Sequence, residues 1–559
     1  MKKISILTSV VAVGSFVALS SCSSKLGNLS ADNFNVTPTP LETEAGRVPL
    51  TVNGVFPEKY MKKKAVVTVV PELRYGNGQA AQGVGQTFQG EKVLGNDQTI
   101  FYRTGGRYTM KSSIAYTPEM QKSDLYMTFK AKVGKKEVEI PAVKVGYGVI
   151  ATSELYKKAL FAGGAIIAPD SFQRIVAQKQ EASVKFLINQ ATLRASQLKS
   201  RSIKDFIKML RTINDDEALE LENVEVAAYA SPEGGVKFND KLANNRKKES
   251  SKYVNKQLRA NKVETDVDAH YTAQDWDGFQ KLVQASNIQD KEVILRVLSM
   301  YTDPEEREKQ IRNMSEGFRE LATSVLPELR RSRLIINYNV IGRTDSEIQA
   351  QYKEDASKLS NDELLYAATL EKDIDKKEDI YKTTTRLYPN DYRAYNNVAA
   401  MELAKGNEAT AKSYLAQAIE KNADAKEAIA NRGLIALLNG DMNAAENDIA
   451  KASGQDNIRY AIGNLNIAKG KYVQAVNDLN GTNTNAEGLA KILTKDYAGA
   501  ARTLDAVKNP TGITEYLHAI AMARQGNKYA ANSHLKDALQ MDPSLKAYAD
   551  NDLELKSIK

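Results

Sequence analysis

The chain has 559 residues, more than one hydrophobic core usually holds, so two to four domains are expected. Apolar residues at 42% and charged residues at 26% exclude wholesale disorder, and a net charge of +8 is too diffuse for a nucleic-acid footprint. One Cys excludes a disulfide framework and a Cys-based zinc site, and three scattered His (His270, His518 and His534) argue against a His-rich metal centre.

Lys2 and Lys3 form a positive start, Ile4 to Leu19 an apolar run, and Leu19-Ser20-Ser21-Cys22 a cleavage region. The run is short for a membrane span, and no later one approaches the roughly 18–20 residues a span needs. The motif resembles the lipobox of bacterial lipoproteins. That resemblance implies removal of residues 1–21, acylation of Cys22 and attachment to a membrane through the lipid alone. No Asp and no acidic run follow the Cys, which in such families favours the periplasmic face of an outer membrane. Residues 22–46, with Pro38, Pro40 and several Asn and Thr, read as a flexible tether.

Residues 47–150 are rich in β-branched and aromatic runs. Examples are Leu50-Thr51-Val52, Ala65 to Val70, Thr99 to Tyr102, Tyr108-Thr109-Met110, Leu125 to Phe129 and Val138-Glu139-Ile140. Turn signals such as Gly76-Asn77-Gly78 and Gly105-Gly106 divide them. Five to seven short strands in an antiparallel β-sandwich are expected, without a catalytic constellation.

Residues 180–342 alternate strand and helix. Val184 to Ile188, Val224 to Tyr229, Val267 to Tyr271 and Arg333 to Tyr338 read as strands, and Ser202 to Ile213 and Asn239 to Leu258 as helices. An α/β sandwich follows, with a helical insertion at about 273–327 that carries Trp276. Ala228-Tyr229-Ala230-Ser231, Gly234, Phe238-Asn239, Leu242 and Arg246 resemble the OmpA-like domain that associates with peptidoglycan. Arg330-Arg331 before the last strand fits the same pattern. The resemblance implies a ligand site at Ser231, Asn239 and Arg246. Arg246 supplies a permanently charged fork for a carboxylate, near enough to a helix start to gain from backbone N–H groups. The family pairs this Arg with an Asp that captures an ammonium. Here that position is Ser231, which cannot neutralise one, and Glu233 is the carboxylate nearest in sequence.

Residues 350–555 carry recurring turns at Gly406, Gly440, Gly470, Lys495 and Gly526, the first two 34 residues apart. Ala follows each turn (Ala411, Ala444, Ala475, Ala500 and Ala530), as close helix approach requires. The pattern resembles tetratricopeptide repeats, with regular units near 392–425 and 426–455 and five or six helix pairs in an all-α solenoid. Asn397 and Asn431, also 34 apart, lie where such repeats often use Asn to hold a peptide backbone.

No nucleophile–base set, paired-carboxylate motif or phosphate loop stands out, so no catalytic residue, metal or cofactor is expected. The expected function is a non-catalytic outer-membrane lipoprotein that links membrane to peptidoglycan and scaffolds protein partners through its repeats. The alternative is a scaffold subunit of a secretion, surface-assembly or motility complex that binds no peptidoglycan.

Overall fold

Period-two alternation builds the first part of the chain. The structure, a computed structural model, describes residues 26–162, 165–288, 291–313, 315–556 and 558, and the side chains of 315–318 stand outside that description. The expected signal peptide over 1–21 and Cys22 lie outside the described residues. The strands are β1 (Phe34–Thr37), β2 (Leu41–Glu42), β3 (Arg47–Phe56), β4 (Ala65–Tyr75), β5 (Gln79–Gln82) and β6 (Gln86–Gly90). They continue as β7 (Gln98–Ile100), β8 (Gly106–Ala115), β9 (Ser123–Val133), β10 (Lys136–Val138), β11 (Val143–Tyr147) and β12 (Val149–Ile150). One sheet runs β1-β3-β8 and a larger one β10-β9-β4-β6-β7, with β5 added on β4 and β11 on β9. Val48, Leu50 and Val52 of β3 alternate inward with Phe56 to a core shared with Val67, Phe88, Tyr108, Met110 and Met127.

Two expectations change here. Residues 26–46 are not a tether: Leu26, Leu29, Phe34, Val36 and Leu41 are buried in that same core, and β1 pairs antiparallel with β3. Asn, Thr and Pro are frequent there, but Phe34 and Val36 alternate inward along β1 while Leu26, Leu29 and Leu41 anchor the chain on either side. The strand pairing is also not wholly antiparallel, since β12 lies parallel to β2 and β7 parallel to β6.

The chain divides into two compact units. One runs to Asp170 and resumes at Ser360, and the other is Ser171–Leu359. Sequence order suggests three domains in a row. Instead the β-rich part and the helical repeats share one unit, because the connection leaving β12 packs into the repeat core. That connection starts with the short helix α1 (Tyr156–Ala159).

The second unit contains β13 (Ile175–Lys185), α2 (Ala195–Leu198), α3 (Arg201–Asp215), β14 (Leu219–Tyr229), α4 (Val236–Ala260) and β15 (Val267–Thr272). Then come α5 (Trp276–Ala285), α6 (Lys291–Met300), α7 (Pro304–Asn313), α8 (Ser315–Ser324), α9 (Leu326–Leu329), β16 (Arg331–Ile341) and α10 (Asp345–Asp355). The sheet order is β13-β16-β14-β15, with only β14 and β15 parallel. A parallel pair needs a long crossover, which α4 supplies. Ile203, Phe206 and Leu210 fall on one face of α3 and meet Val254 and Leu258 of α4 over Val224, Val226, Leu334 and Ile336 of the sheet. The insertion has its own core of Phe279, Val283, Ile294, Leu298, Ile311 and Leu321, against which Trp276 packs.

The repeats are six helix pairs among the described residues. They are α11 (Asn361–Leu370) with α12 (Ile374–Leu387), α13 (Tyr392–Ala404) with α14 (Glu408–Lys421), and α15 (Lys426–Leu438) with α16 (Met442–Ala452). Then follow α17 (Arg459–Ala468) with α18 (Tyr472–Leu479), α19 (Asn485–Leu493) with α20 (Tyr497–Asp505), and α21 (Gly512–Arg524) with α22 (Lys528–Met541). The short α23 (Lys546–Ala549) ends the array. In five of the six pairs the turn residue adopts positive φ: Gly406, Gly440, Gly470, Lys495 and Gly526 lie between 68° and 81°. The fully buried small residue is five positions later in every case: Ala411, Ala445, Ala475, Ala500 and Ala531. Ala444 and Ala530, expected from sequence at this contact, are one residue out of register and only partly buried. They sit instead where their N–H groups are capped by Asp441 and Asn527.

Candidate functional site

The face of the repeats lined by α13, α15 and α17 holds a strand of backbone, and that backbone belongs to this chain. Leu155, Tyr156, Ala159, Leu160 and Ile166 join the repeat core formed by Ile429, Leu434, Ala461 and Leu489. Residues 165–170 belong to neither helix nor strand. Asn431 accepts from the Ile166 N–H (2.9 Å) and donates to the Ile166 carbonyl (2.8 Å). Asn397 repeats the pattern two residues on, accepting from the Ala168 N–H (2.8 Å) and donating to the Ala168 carbonyl (3.0 Å). An amide side chain carries one acceptor and a donor group on one plane, so it satisfies both main-chain groups of one residue at once. The 34-residue spacing between the two Asn reproduces this on consecutive helix pairs.

Three further residues complete the clamp and were not singled out in the sequence. Asn396 donates to the Ile166 carbonyl (3.0 Å) and accepts from Asn431 (3.0 Å), so the three amides form one buried network. Arg393 donates to the Asp170 carbonyl (2.9 Å) while paired with Asp391 and Asp362. The Tyr460 hydroxyl donates to the Leu160 carbonyl (2.6 Å), and burial pushes its pKa above the ordinary tyrosine range, which keeps the donor proton in place. The doubled Asn396-Asn397 was a legible signal. So was the apolar stretch Ala165-Ile166-Ile167-Ala168-Pro169, too greasy for a linker. At the other end of this strap the Tyr548 hydroxyl donates to the Ala151 carbonyl (3.1 Å), and Thr152 donates to Glu554 (2.8 Å). Glu554 in turn holds Arg524. The strap therefore runs antiparallel to the order of the repeats.

The second candidate site is the loop after β14. Ser231, Asn239 and Arg246 do surround it. Asn239 is buried on the first turn of α4 and donates to the carbonyls of Ser231, Glu233 and Gly234 at 3.0–3.1 Å, which fixes the loop's shape. The Ser231 hydroxyl donates to Glu233 (3.0 Å), and Glu233 is neutralised by Arg330 (2.7 Å). The Gly234 N–H, at φ +94°, donates to the Glu308 carboxylate of the insertion (2.8 Å). A group with the chemistry of an acidic ligand thus already occupies that donor.

Arg246 differs from its expected setting. It is 0% exposed. Its guanidinium donates to three backbone carbonyls, those of Tyr229 (2.8 Å), Gln190 (3.0 Å) and Leu187 (3.3 Å), and stacks on the Phe186 ring. Burial, with Arg330 nearby, pushes its pKa down to about 10, and it stays charged at neutral pH. The helix begins at Val236, so Arg246 lies about 15 Å along the axis from its start, beyond reach of the terminal N–H groups. The arrangement ties the strand end, the loop after β13 and α4 together. A carboxylate ligand would have to displace those carbonyls. His270 is half-exposed beside Glu225, at 3.4 Å.

No protein-family model matches the chain, and no curated protein matches it. Among solved structures it is similar to a tetratricopeptide repeat protein from Parabacteroides merdae, at 16% identity over 38% of this chain and 90% of that one, with a TM-score of 0.27. It is similar also to YrrB, a tetratricopeptide repeat protein with an unusual peptide-binding site, at 16% identity over 30% of this chain and 97% of that one, with a TM-score of 0.21. A third similarity is to pilF of Pseudomonas aeruginosa, at 11% identity over 38% and 98% of the two chains, with a TM-score of 0.25. The helical-repeat architecture of this chain rests on its own six helix pairs, their shared turn geometry and their buried Ala positions.

Proposed function

We propose that this chain is a non-catalytic, lipid-anchored scaffold of a bacterial outer membrane that offers its helical repeats to protein partners. One observation carries the scaffold reading: the strap, described over 151–162 and 165–170, is held along the repeats by side-chain hydrogen bonds to its main-chain groups, which fuses the β-rich part and the repeats into one body. The inner face being filled, partners meet the outer, second helices, where Val473 and Tyr529 are exposed at 69% and 90%. The anchor rests on the sequence around Cys22. Photo-crosslinking from Tyr529 in cells tests the reading, with the buried Tyr516 as control. Envelope proteins captured at Tyr529 alone support it, and capture of cytoplasmic proteins alone overturns the compartment.

A second reading adds peptidoglycan as a ligand of the α/β unit. Its support is the resemblance around Ser231, Asn239 and Arg246, together with the alternation of strands and helices in this unit. Against it stand Ser231 in place of an Asp, the three carbonyls on Arg246 and the Glu308 carboxylate on Gly234. Retention of the full chain on purified sacculi, lost on adding free stem peptide, would favour this second reading. Passage through unretained favours a scaffold without wall binding.

A further inference from the structure

The last helix pair brings together two His that look unrelated in sequence. His518 on α21 and His534 on α22 each lie eight residues from Gly526, the turn between the helices. Equal distances from the turn of an antiparallel pair place both at the same height. Their rings stack with centroids 3.9 Å apart. Glu515, three residues before His518 and hence on the same helix face, meets His534 Nδ1 at 2.7 Å. The ligand atoms of all three residues lie within 4.8 Å of one another.

We propose that Glu515, His518 and His534 form a binding site for a divalent late transition ion, best matched by Zn²⁺. Two imidazoles and one carboxylate are the borderline nitrogen and oxygen donors this ion prefers. Metal–ligand distances of about 2.0–2.2 Å in a tetrahedron put ligand atoms about 3.4 Å apart. The 2.7 Å contact must open slightly and the widest separation must close by little more than 1 Å. Side-chain rotation supplies that, because both helices are already fixed by the turn and by the packing of Tyr516, Leu517, Ile520 and Leu535. His518 is buried, and its Nε2 lies 3.8 Å from Asp505, which is placed to orient it from the neighbouring α20. Water or a partner's donor fills the fourth position. A bound ion ties the two helices at mid-length, eight residues from the Gly526 turn.

The test is titration of the full chain, purified without a histidine tag, with Zn²⁺ by calorimetry and with Co²⁺ by visible absorption. Expected are one ion per chain, d–d bands of a low-coordinate Co²⁺ site, and a rise in the melting temperature of the repeats reversed by chelator. His534→Gln, on the partly exposed partner, should weaken Zn²⁺ binding at least tenfold with the fold retained, and Glu515→Gln should do so to a similar or smaller degree. An unchanged affinity in His534→Gln, or no binding by the parent chain, overturns the site.

Discussion

The groove and the cradle are both filled by the chain itself, but in different currencies. In the groove Asn397 and Asn431 take hold of main-chain groups at Ile166 and Ala168, and main chain is the same in every peptide. In the cradle Arg246 is consumed by carbonyls of its own fold, and Glu308 caps Gly234. The groove is chemically competent for peptides and holds one in cis. Covalent connection gives that strap an effective concentration a free peptide cannot match without far stronger contacts. The cradle has instead turned ligand chemistry into internal structure. Resemblance at the level of residues can therefore hold while the charged group is turned inward.

Arg246→Ala breaks the comparison most severely. It removes three charge-assisted bonds and leaves three buried carbonyls and a cavity, a loss of about 3–5 kcal/mol. Trp276, the only Trp, belongs to the α/β unit, so its fluorescence in urea reports that unit alone. A shift of the midpoint is expected there and not in the helical circular dichroism dominated by the repeats. Undiminished stability would return Arg246 to the role of an idle ligand-binding residue. Asn431→Ala should act on the other unit. It orphans the Ile166 N–H and an acceptor on Asn396 and leaves the Ile166 carbonyl to Asn396 alone, at about 2–4 kcal/mol, and hydrogen exchange at the Ile166 and Ala168 amides should speed up together. If those amides exchange fast in the parent chain, the strap is not held as described.

Much of this was legible. Strand and helix order in the α/β unit could be read from periodicity, and the Asn pair stood out by its 34-residue spacing and its likeness to tetratricopeptide repeats. Where the strap is held could not be read. Its residues are too few to show a period, and what fixes them is a set of amides some 230 to 265 positions away. The inward turn of Arg246 was hidden for a similar reason, since backbone carbonyls carry no signature in a sequence. The polar run Asn244 to Lys248 shows a solvated surface on every side of the one residue that is buried. The misplaced Ala444 and Ala530 teach a smaller lesson: adjacent Ala residues leave helix register undecided until the turn residue is counted from.

Lys495 sharpens the picture of the repeats. It occupies at φ +68° the position that Gly fills in four sister turns. A residue with a Cβ is strained there, so Lys495→Gly should stabilise the repeat unit by about 1 kcal/mol, read as a higher thermal midpoint with Trp276 fluorescence unchanged. A loss of stability would mean that the Lys side chain, and not the turn, governs that position.

The smallest effect belongs to the α/β unit and to acid. Arg333 on β16 pairs bidentately with Glu181 on β13 at 2.6 Å, and its hydrogen bonds hold the Glu181 carboxyl below the usual range despite partial burial. A carboxyl whose folded pKa is depressed contributes stability above its unfolded value, near 4.3, and loses it as pH falls through the depressed folded value. The pair is partly exposed, so the contribution is below about 1 kcal/mol. Urea midpoints from Trp276 should fall between pH 5 and pH 3 more steeply in the parent than in Glu181→Gln. The same substitution should leave the acid response of the repeats unchanged, because the pair bridges two strands of one sheet. Equal slopes in parent and variant would show that the cross-strand pair is screened to nothing, and that the sheet edge at β13 is held by its main-chain ladder alone.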